Sequence, residues 1–270
     1  MLGKVASTLG VRSMHARRYI GKKHLNRAID EVLDNPLPNA PRPLAFSVIR
    51  VPFFLEPGYD EDKPFVESNR ERLVTKWGGK QGWEEQKRRH DLKGRGLEAG
   101  IEHFNLDRLA ANTMASHRLI QHIGKKYGLA VSEAVYDRLN EYYFVEGHSL
   151  NDKPRLAQVV STTMSGLLKE EHPSPEELLD FLNGNQGRKE IMDALDGLRQ
   201  IGVHGIPKFI IEGSYVVDGA ARSDVFVDIF REIEARGEIK SGPVFGEILG
   251  VSEDTIANGS HLPRHIPESA

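Results

Sequence analysis

One stretch constrains the fold of this chain more than any other: Gly202-Val203-His204-Gly205-Ile206-Pro207-Lys208-Phe209-Ile210-Ile211-Glu212-Gly213-Ser214-Tyr215-Val216-Val217-Asp218-Gly219. Pro207 opens an apolar run, and proline is tolerated in a sheet at the first residue of a strand. Phe209 to Ile211 and Tyr215 to Val217 flank Glu212-Gly213, which reads as a tight hairpin turn. Before the stretch, Arg188 to Ile201 carries Ile191, Leu195, Leu198 and Ile201 at helical spacing. After it, Ser223 to Arg236 carries Val225, Phe226, Ile229, Phe230 and Ile233 on one helical face. The pattern predicts helix, proline-led hairpin, helix. Taken alone, it also fits an ordinary α/β hairpin unit.

A chain of 270 residues fits one large domain or a domain carrying an insertion. With 39% hydrophobic and 28% charged residues it has the composition of a globular protein with a real core. A net charge of −3 leaves no global basic footprint, so no nucleic-acid partner is expected. No apolar run approaches the roughly 20 residues that would span a membrane, and a soluble chain is expected. The decisive number is the cysteine count, which is zero. Without cysteine there is no disulfide, no attacking thiolate, and no zinc–thiolate or iron–sulfur site. The count does not identify a redox compartment.

Residues 1–18 hold four basic residues and no acid, with small and hydroxylated residues between them. They read either as an irregular N-terminus or as a mitochondrial-type presequence; no apolar core suited to a secretory signal is present. Tyr19 to Leu33 places Leu25, Ala28, Ile29, Val32 and Leu33 on one helical stripe. Asn35 to Pro43 contains four prolines and reads as an extended loop, and Leu44 to Val51 alternates as a strand. Residues 19–59 thus form a first α/β part. Residues 60–185 read almost entirely as helices. They comprise Phe65 to Trp77, Trp83 to Ala99, Asn112 to Tyr127, Val131 to Val145, Asn151 to about Leu168, and a helix begun by the capping box Ser174-Pro175-Glu176-Glu177. Residues 186–238 form the second α/β part, and 239–270 read as an extended tail with little periodicity. Asn258-Gly259-Ser260 fits the glycosylation pattern, with no secretion signal to support it.

The order of elements and several strings resemble the DsbA-like thioredoxin-fold family. The similarity is strongest to its FrnE-like oxidoreductase branch, related to 2-hydroxychromene-2-carboxylate isomerase and kappa-class glutathione transferases. The strings are Tyr19-Ile20-Gly21-Lys22, Asn112-Thr113 with Ser116-His117-Arg118-Leu119-Ile120, Tyr143-Phe144-Val145-Glu146-Gly147, and Gly202 through Ala220. The resemblance implies an α/β thioredoxin-like fold with an inserted all-helical domain, and a cis peptide before Pro207. In the family a first strand leads into Cys-x-x-Cys, followed by Tyr-Ile-Gly-Lys. Here the four positions before Tyr19 are His15-Ala16-Arg17-Arg18, and residues 1–14 do not show the pattern of a buried strand. Histidine and arginine cannot replace a thiolate at a helix N-terminus, so this chain has no residue for thiol–disulfide exchange. Two explanations stay open: a true cysteine-less member, since some relatives use serine or glutathione's own thiol there, or an N-terminus from which strand and motif have been lost.

What remains for chemistry is the backbone of His204-Gly205-Ile206-Pro207, which by resemblance holds glutathione or a peptide like an added strand. The plainer alternative is that the proline only shapes the start of the strand. His15, Arg17 and Arg18 lie where the family's active site lies and could bind an anionic group; they also read as a solvated basic stretch. Tyr19 is a candidate for hydrogen-bonding a bound thiolate, or a half-buried core tyrosine. Asn112 and His117 open a helix that in the family faces the cleft between Pro207 and the helical insert. His117 and His122 are five apart, so no metal pair is expected, and Lys87-Arg88-Arg89-His90 reads as a solvated face. The expected protein is a glutathione- or small-molecule-directed member of an oxidoreductase family, with no covalently bound cofactor. The alternative is a non-catalytic binder of a peptide or glutathione-like ligand. A cytoplasmic setting is expected, with the mitochondrion as the alternative, and a homodimer stays open.

Overall fold

The structure is a computed structural model that describes residues 3–8, 16–54, 56–168, 171–203 and 205–263. In chain order the elements are β1 (Gly3–Thr8), α1 (Ala16–Asp34), β2 (Phe46–Val51), β3 (Glu67–Ser68), α2 (Asn69–Lys76), α3 (Lys80–His90) and α4 (Leu92–Glu98). There follow β4 (Leu109–Ala110), α5 (Met114–Tyr127), α6 (Leu129–Phe144), α7 (Lys153–Leu167), α8 (Pro175–Asn183) and α9 (Arg188–Gln200). The chain ends with β5 (Lys208–Ile211), β6 (Tyr215–Asp218), α10 (Ser223–Arg236) and α11 (Glu253–Asn258). These elements divide into a sheet unit, residues 1–53, 121–133 and 189–270, and a helical unit, residues 54–120 and 134–188. Helices α5 and α6 each run from one unit into the other.

The sheet unit is built on four strands in the order β2-β1-β5-β6. β1 runs parallel to β2 (Gly3↔Phe46 through Thr8↔Val51) and antiparallel to β5 (Val5↔Ile211). The hairpin expected from the sequence forms, with Ile211 opposite Tyr215 across the three residues Glu212, Gly213 and Ser214. Large apolar residues at the expected helical spacing pack one face: Leu25, Ile29 and Val32 of α1 with Phe226 and Phe230 of α10, over Phe46, Val48 and Phe209. On the other face Ile49 and Val51 meet Ala194 and Leu198 of α9 and Phe245, Leu249 and Ile256. β2 is therefore buried on both sides, and its two polar residues are both partnered, the Ser47 hydroxyl donating to Ile256 O and Arg50 to Glu133.

Two sequence expectations are corrected in this unit. Gly3–Thr8 does form a strand, in the middle of the sheet, although the run shows no apolar alternation. A strand paired along both edges draws its hydrogen bonds from its neighbours and does not need the alternation of a half-solvated one. The segment expected as an extended tail is the second correction. It folds back as α11 and buries Phe245, Leu249, Val251 and Ile256. It then covers the free edge of β2: Phe46 N–H donates to His261 O (2.8 Å), and Ser260 N–H and His261 N–H both donate to Phe46 O.

In the helical unit α7 and α8 pack on Leu156, Val160, Met164, Leu178 and Leu182. Ser174 and Glu177 make the predicted capping box of α8. The helix expected over Phe65 to Trp77 starts only at Asn69, because Glu67-Ser68 pairs with Leu109-Ala110 and Ser68 caps α2. The helix expected over Trp83 to Ala99 is two helices, broken where Asp91 adopts the left-handed conformation (φ 38°) and caps α4 through Gly94 N–H. No described helix is long and apolar enough to cross a membrane.

Candidate functional site

In the sheet unit the peptide bond between Ile206 and Pro207 is cis. Pro207 is buried at the start of β5, and its carbonyl accepts the Gly219 N–H at 2.8 Å. The first turns of α1 lie directly against it. A Cβ placed on Gly21 would come within 3.4 Å of Pro207 Cγ and 3.2 Å of Phe209 Cζ. The glycine of the Tyr19-Ile20-Gly21 string is thus what lets the helix approach the proline. Among the described residues no hydrogen bond engages the backbone of Gly205 or Ile206, which are half-buried. The structure therefore brings α1 against Pro207, with Gly205 and Ile206 preceding it in the chain. Only the carbonyl of Pro207 is already committed to the hairpin.

On α1, Arg17 and Arg18 are half-buried, whereas Tyr19 is only 5% exposed, with Lys23 Nζ 5.4 Å from its ring centre. A tyrosine so placed acts first as core. His15 and His204 lie outside the described residues.

The residue after Gly21 on α1 belongs to a buried charge network that no sequence pattern marked as a whole. Lys22 is buried, and its Nζ donates to Asn26 Oδ1 (2.6 Å) and lies 3.0 Å from Glu133 Oε2. Arg50 of β2 forks onto the same carboxylate, Nε to Oε1 and Nη2 to Oε2, both at 2.5 Å. Gln121 donates to the Arg50 carbonyl. Burial pushes the Glu133 carboxyl up, but Arg50 and Lys22 together outweigh it and bring its pKa down to about 2. Burial pushes the His261 imidazole down, opposed by Glu133 and reinforced by Lys22 and Arg50. A signal for Lys22 existed: it falls on the stripe of Leu25 and Ile29, three and seven residues on, where a lysine needs an anion. Nothing marked Glu133, 111 positions later, as that anion.

Asn112 and His117 belong to the helical unit. Asn112 Nδ2 donates to Tyr59 O at 2.8 Å, and its Oδ1 accepts Met114 N–H at 2.9 Å, which caps α5. The His117 ring lies against Phe54, with centroids 5.3 Å apart. Its neighbour Arg118 donates to the carbonyls of Phe181, Leu182 and Gln186, placing a cation on the C-terminal end of α8. These side chains hold the helical unit together. Among the described residues no group of three or more His, Asp or Glu could hold a metal ion.

A β2-β1-β5-β6 sheet with a proline-led hairpin, helices on both faces and a helical unit spliced in after β2 defines a thioredoxin-type fold with a helical insertion. Residues 86–231, more than half of the chain, match the DSBA-like thioredoxin domain, and the chain belongs to that family. The fold is similar to that of a probable DsbA oxidoreductase from Streptomyces coelicolor, with a TM-score of 0.66 and 23% identity over 88% of this chain and 91% of that one. It is also similar to that of a candidate protein disulfide isomerase from Nitrosomonas europaea, with a TM-score of 0.55 and 10% identity over 87% of this chain and 100% of that one. No curated protein matches the sequence.

Proposed function

We propose that this DsbA-like protein uses the surface made by α1 and Pro207 to hold glutathione or a short extended peptide, and that any thiol chemistry there belongs to the ligand. What supports this reading is the close approach of Gly21, in the second turn of α1, to Pro207, whose sequence neighbours Gly205 and Ile206 make no backbone hydrogen bond among the described residues. An extended ligand pairs with such a backbone as an added strand. Its carboxylates suit the helix N-terminus and the guanidinium groups of Arg17 and Arg18. With no cysteine in the chain, disulfide exchange through its own residues is chemically closed. If turnover occurs, glutathione supplies the thiol, as in the isomerase and transferase relatives that the FrnE-like strings suggest. A cytoplasmic setting goes with this reading.

A second reading, binding without turnover, is favoured by the burial of Tyr19, the side chain nearest the absent motif with an ionisable hydroxyl. Calorimetry of the full chain with glutathione tests the site. Micromolar binding, weakened about tenfold in Arg17→Ala/Arg18→Ala, supports it, given roughly 1.5–3 kcal/mol for a charged hydrogen bond. No binding at millimolar glutathione rules it out. Assays for isomerase and transferase turnover then separate the two readings.

A further inference from the structure

Ser260 and His261, both half-buried, cover the free edge of β2 with main chain and hydroxyl. Besides the paired contacts with Phe46, the Val48 N–H donates to Ser260 Oγ at 3.0 Å. A sheet edge left open presents unpaired N–H and C=O groups to any extended chain. The apolar anchor of the segment lies upstream of these two residues. Phe245, Leu249, Val251 and Ile256 are buried, and the Ile256 carbonyl accepts the Ser47 hydroxyl at 2.6 Å. Gly259, at φ 73°, then turns the chain from α11 onto the edge. On the far side of His261, Leu262 is 58% exposed. The cover thus hangs from α11 through a glycine, and apolar burial holds α11 rather than the cover.

His261 brings a titratable ring to a place already rich in cations. Its Nδ1 lies 2.8 Å from Ser260 Oγ. The ring faces Lys22 and Asp30 of α1, Arg50 of β2 and Glu133 of α6. Glu133 is already shared by two cations, with Lys22 Nζ at 3.0 Å and Arg50 in a fork at 2.5 Å. A neutral imidazole leaves that balance alone. An imidazolium adds a third cation to the one buried carboxylate, with Asp30 the other acid facing it. Burial and the two cations outweigh the two acids and hold the imidazole below its ordinary 6.5. The neutral ring therefore favours the covered edge, and its protonation favours the uncovered one.

We propose that Ser260 and His261 form a pH-operated latch on β2. With His261 neutral the edge is covered. When His261 takes up a proton the latch swings out at Gly259 while α11 stays packed, and the N–H groups of Phe46 and Val48 are bared for an added strand.

Amide hydrogen exchange of the full chain, followed by NMR at about pH 7.5 and about pH 5.5 and corrected for the intrinsic rate at each pH, tests the latch. Phe46 and Val48 are expected to be less protected than Phe209 to Ile211 in the middle of the sheet. Their protection falls at the lower pH by up to about tenfold, the most that one imidazole with an ordinary value of 6.5 supplies over that range. Their exchange barely responds to low urea, because a local release exposes little surface, whereas exchange in β5 accelerates. In His261→Gln, which keeps a polar side chain that does not titrate, the fall with pH disappears. Three results overturn the proposal: protection at Phe46 and Val48 that changes less than twofold with pH, an equal fall in the variant, or a urea response matching that of β5. The first and third are read on the unaltered chain, so the test stands even if the variant folds poorly.

Discussion

Glu212 shows how a single residue can be held in a conformation that its side chain disfavours. Its φ of 50° lies in the left-handed region, which costs a non-glycine residue roughly 1–2 kcal/mol. Against this, its carboxylate is buried, and Arg236 Nη2 donates to both oxygens at 2.6 Å. Lys240 N–H adds a bond to Oε1, and the Ser241 hydroxyl donates to the Glu212 carbonyl. Removing one partner of a buried pair costs about 3–5 kcal/mol, less here because Arg236 is partly exposed. Pairing therefore outweighs strain. Glu212→Ala should lower stability by about 3 kcal/mol in urea unfolding, and Glu212→Gly by about 1 kcal/mol less, because glycine relieves the backbone. A glycine variant more stable than the natural chain would show that the ion pair contributes nothing.

Among the elements, the C-terminal segment departs most from what its sequence suggests. It has little periodicity because it packs as turns, a short helix and one bridge, each too brief to repeat. Phe245 nevertheless closes the second face of the sheet, and Gly197 of α9 makes room for it: a Cβ there would stand 3.2 Å from Phe245 Cε1. Phe245→Ala should cost about 3–5 kcal/mol, the usual loss for a buried phenylalanine. Leu262→Ala, at a side chain 58% exposed, should stay within about 0.5 kcal/mol. Equal stability of the two variants by chemical denaturation would mean that the segment does not belong to the core. The legible elements share one property. α1, β2, the β5–β6 hairpin and α10 carry large apolar residues at a regular period, and all were readable. β1 was not, because its small residues and N-terminal basic neighbours imitate a presequence. The break at Asp91 was not, because a non-glycine left-handed residue leaves no mark in the sequence.

At the scale of the whole molecule, the proline and the hairpin were legible because each is a backbone demand written as a residue type, whereas the close approach that Gly21 permits shows only in the fold. The charge network beneath them was not. It joins Lys22, Arg50, Glu133 and His261 from four distant segments, and only folding brings them together. That network sets how stability should follow pH. The Glu133 carboxyl lies near 2 when folded, against an ordinary value of 4.5. Its contribution is thus complete above pH 4.5 and lost as pH falls toward 2, worth roughly 3 kcal/mol at most. His261 acts in the same direction at higher pH. Its imidazole, facing Glu133, Lys22, Arg50 and Asp30, is held below its ordinary 6.5 mainly by burial, so stability starts to fall once pH drops below 6.5. Glu133→Gln leaves Lys22 and Arg50 buried without their anion and should cost about 3–5 kcal/mol at pH 7. Urea unfolding of both proteins from pH 7 to pH 2 separates the two groups. The difference between natural chain and variant should widen slightly below pH 6.5, because Glu133 holds the His261 pKa up and the variant lacks that support, and should shrink below about pH 4.5 as the carboxylate takes up its proton. A difference that is unchanged at pH 2 would mean that Glu133 contributes by shape and hydrogen bonding alone, and that its charge does not hold the two cations.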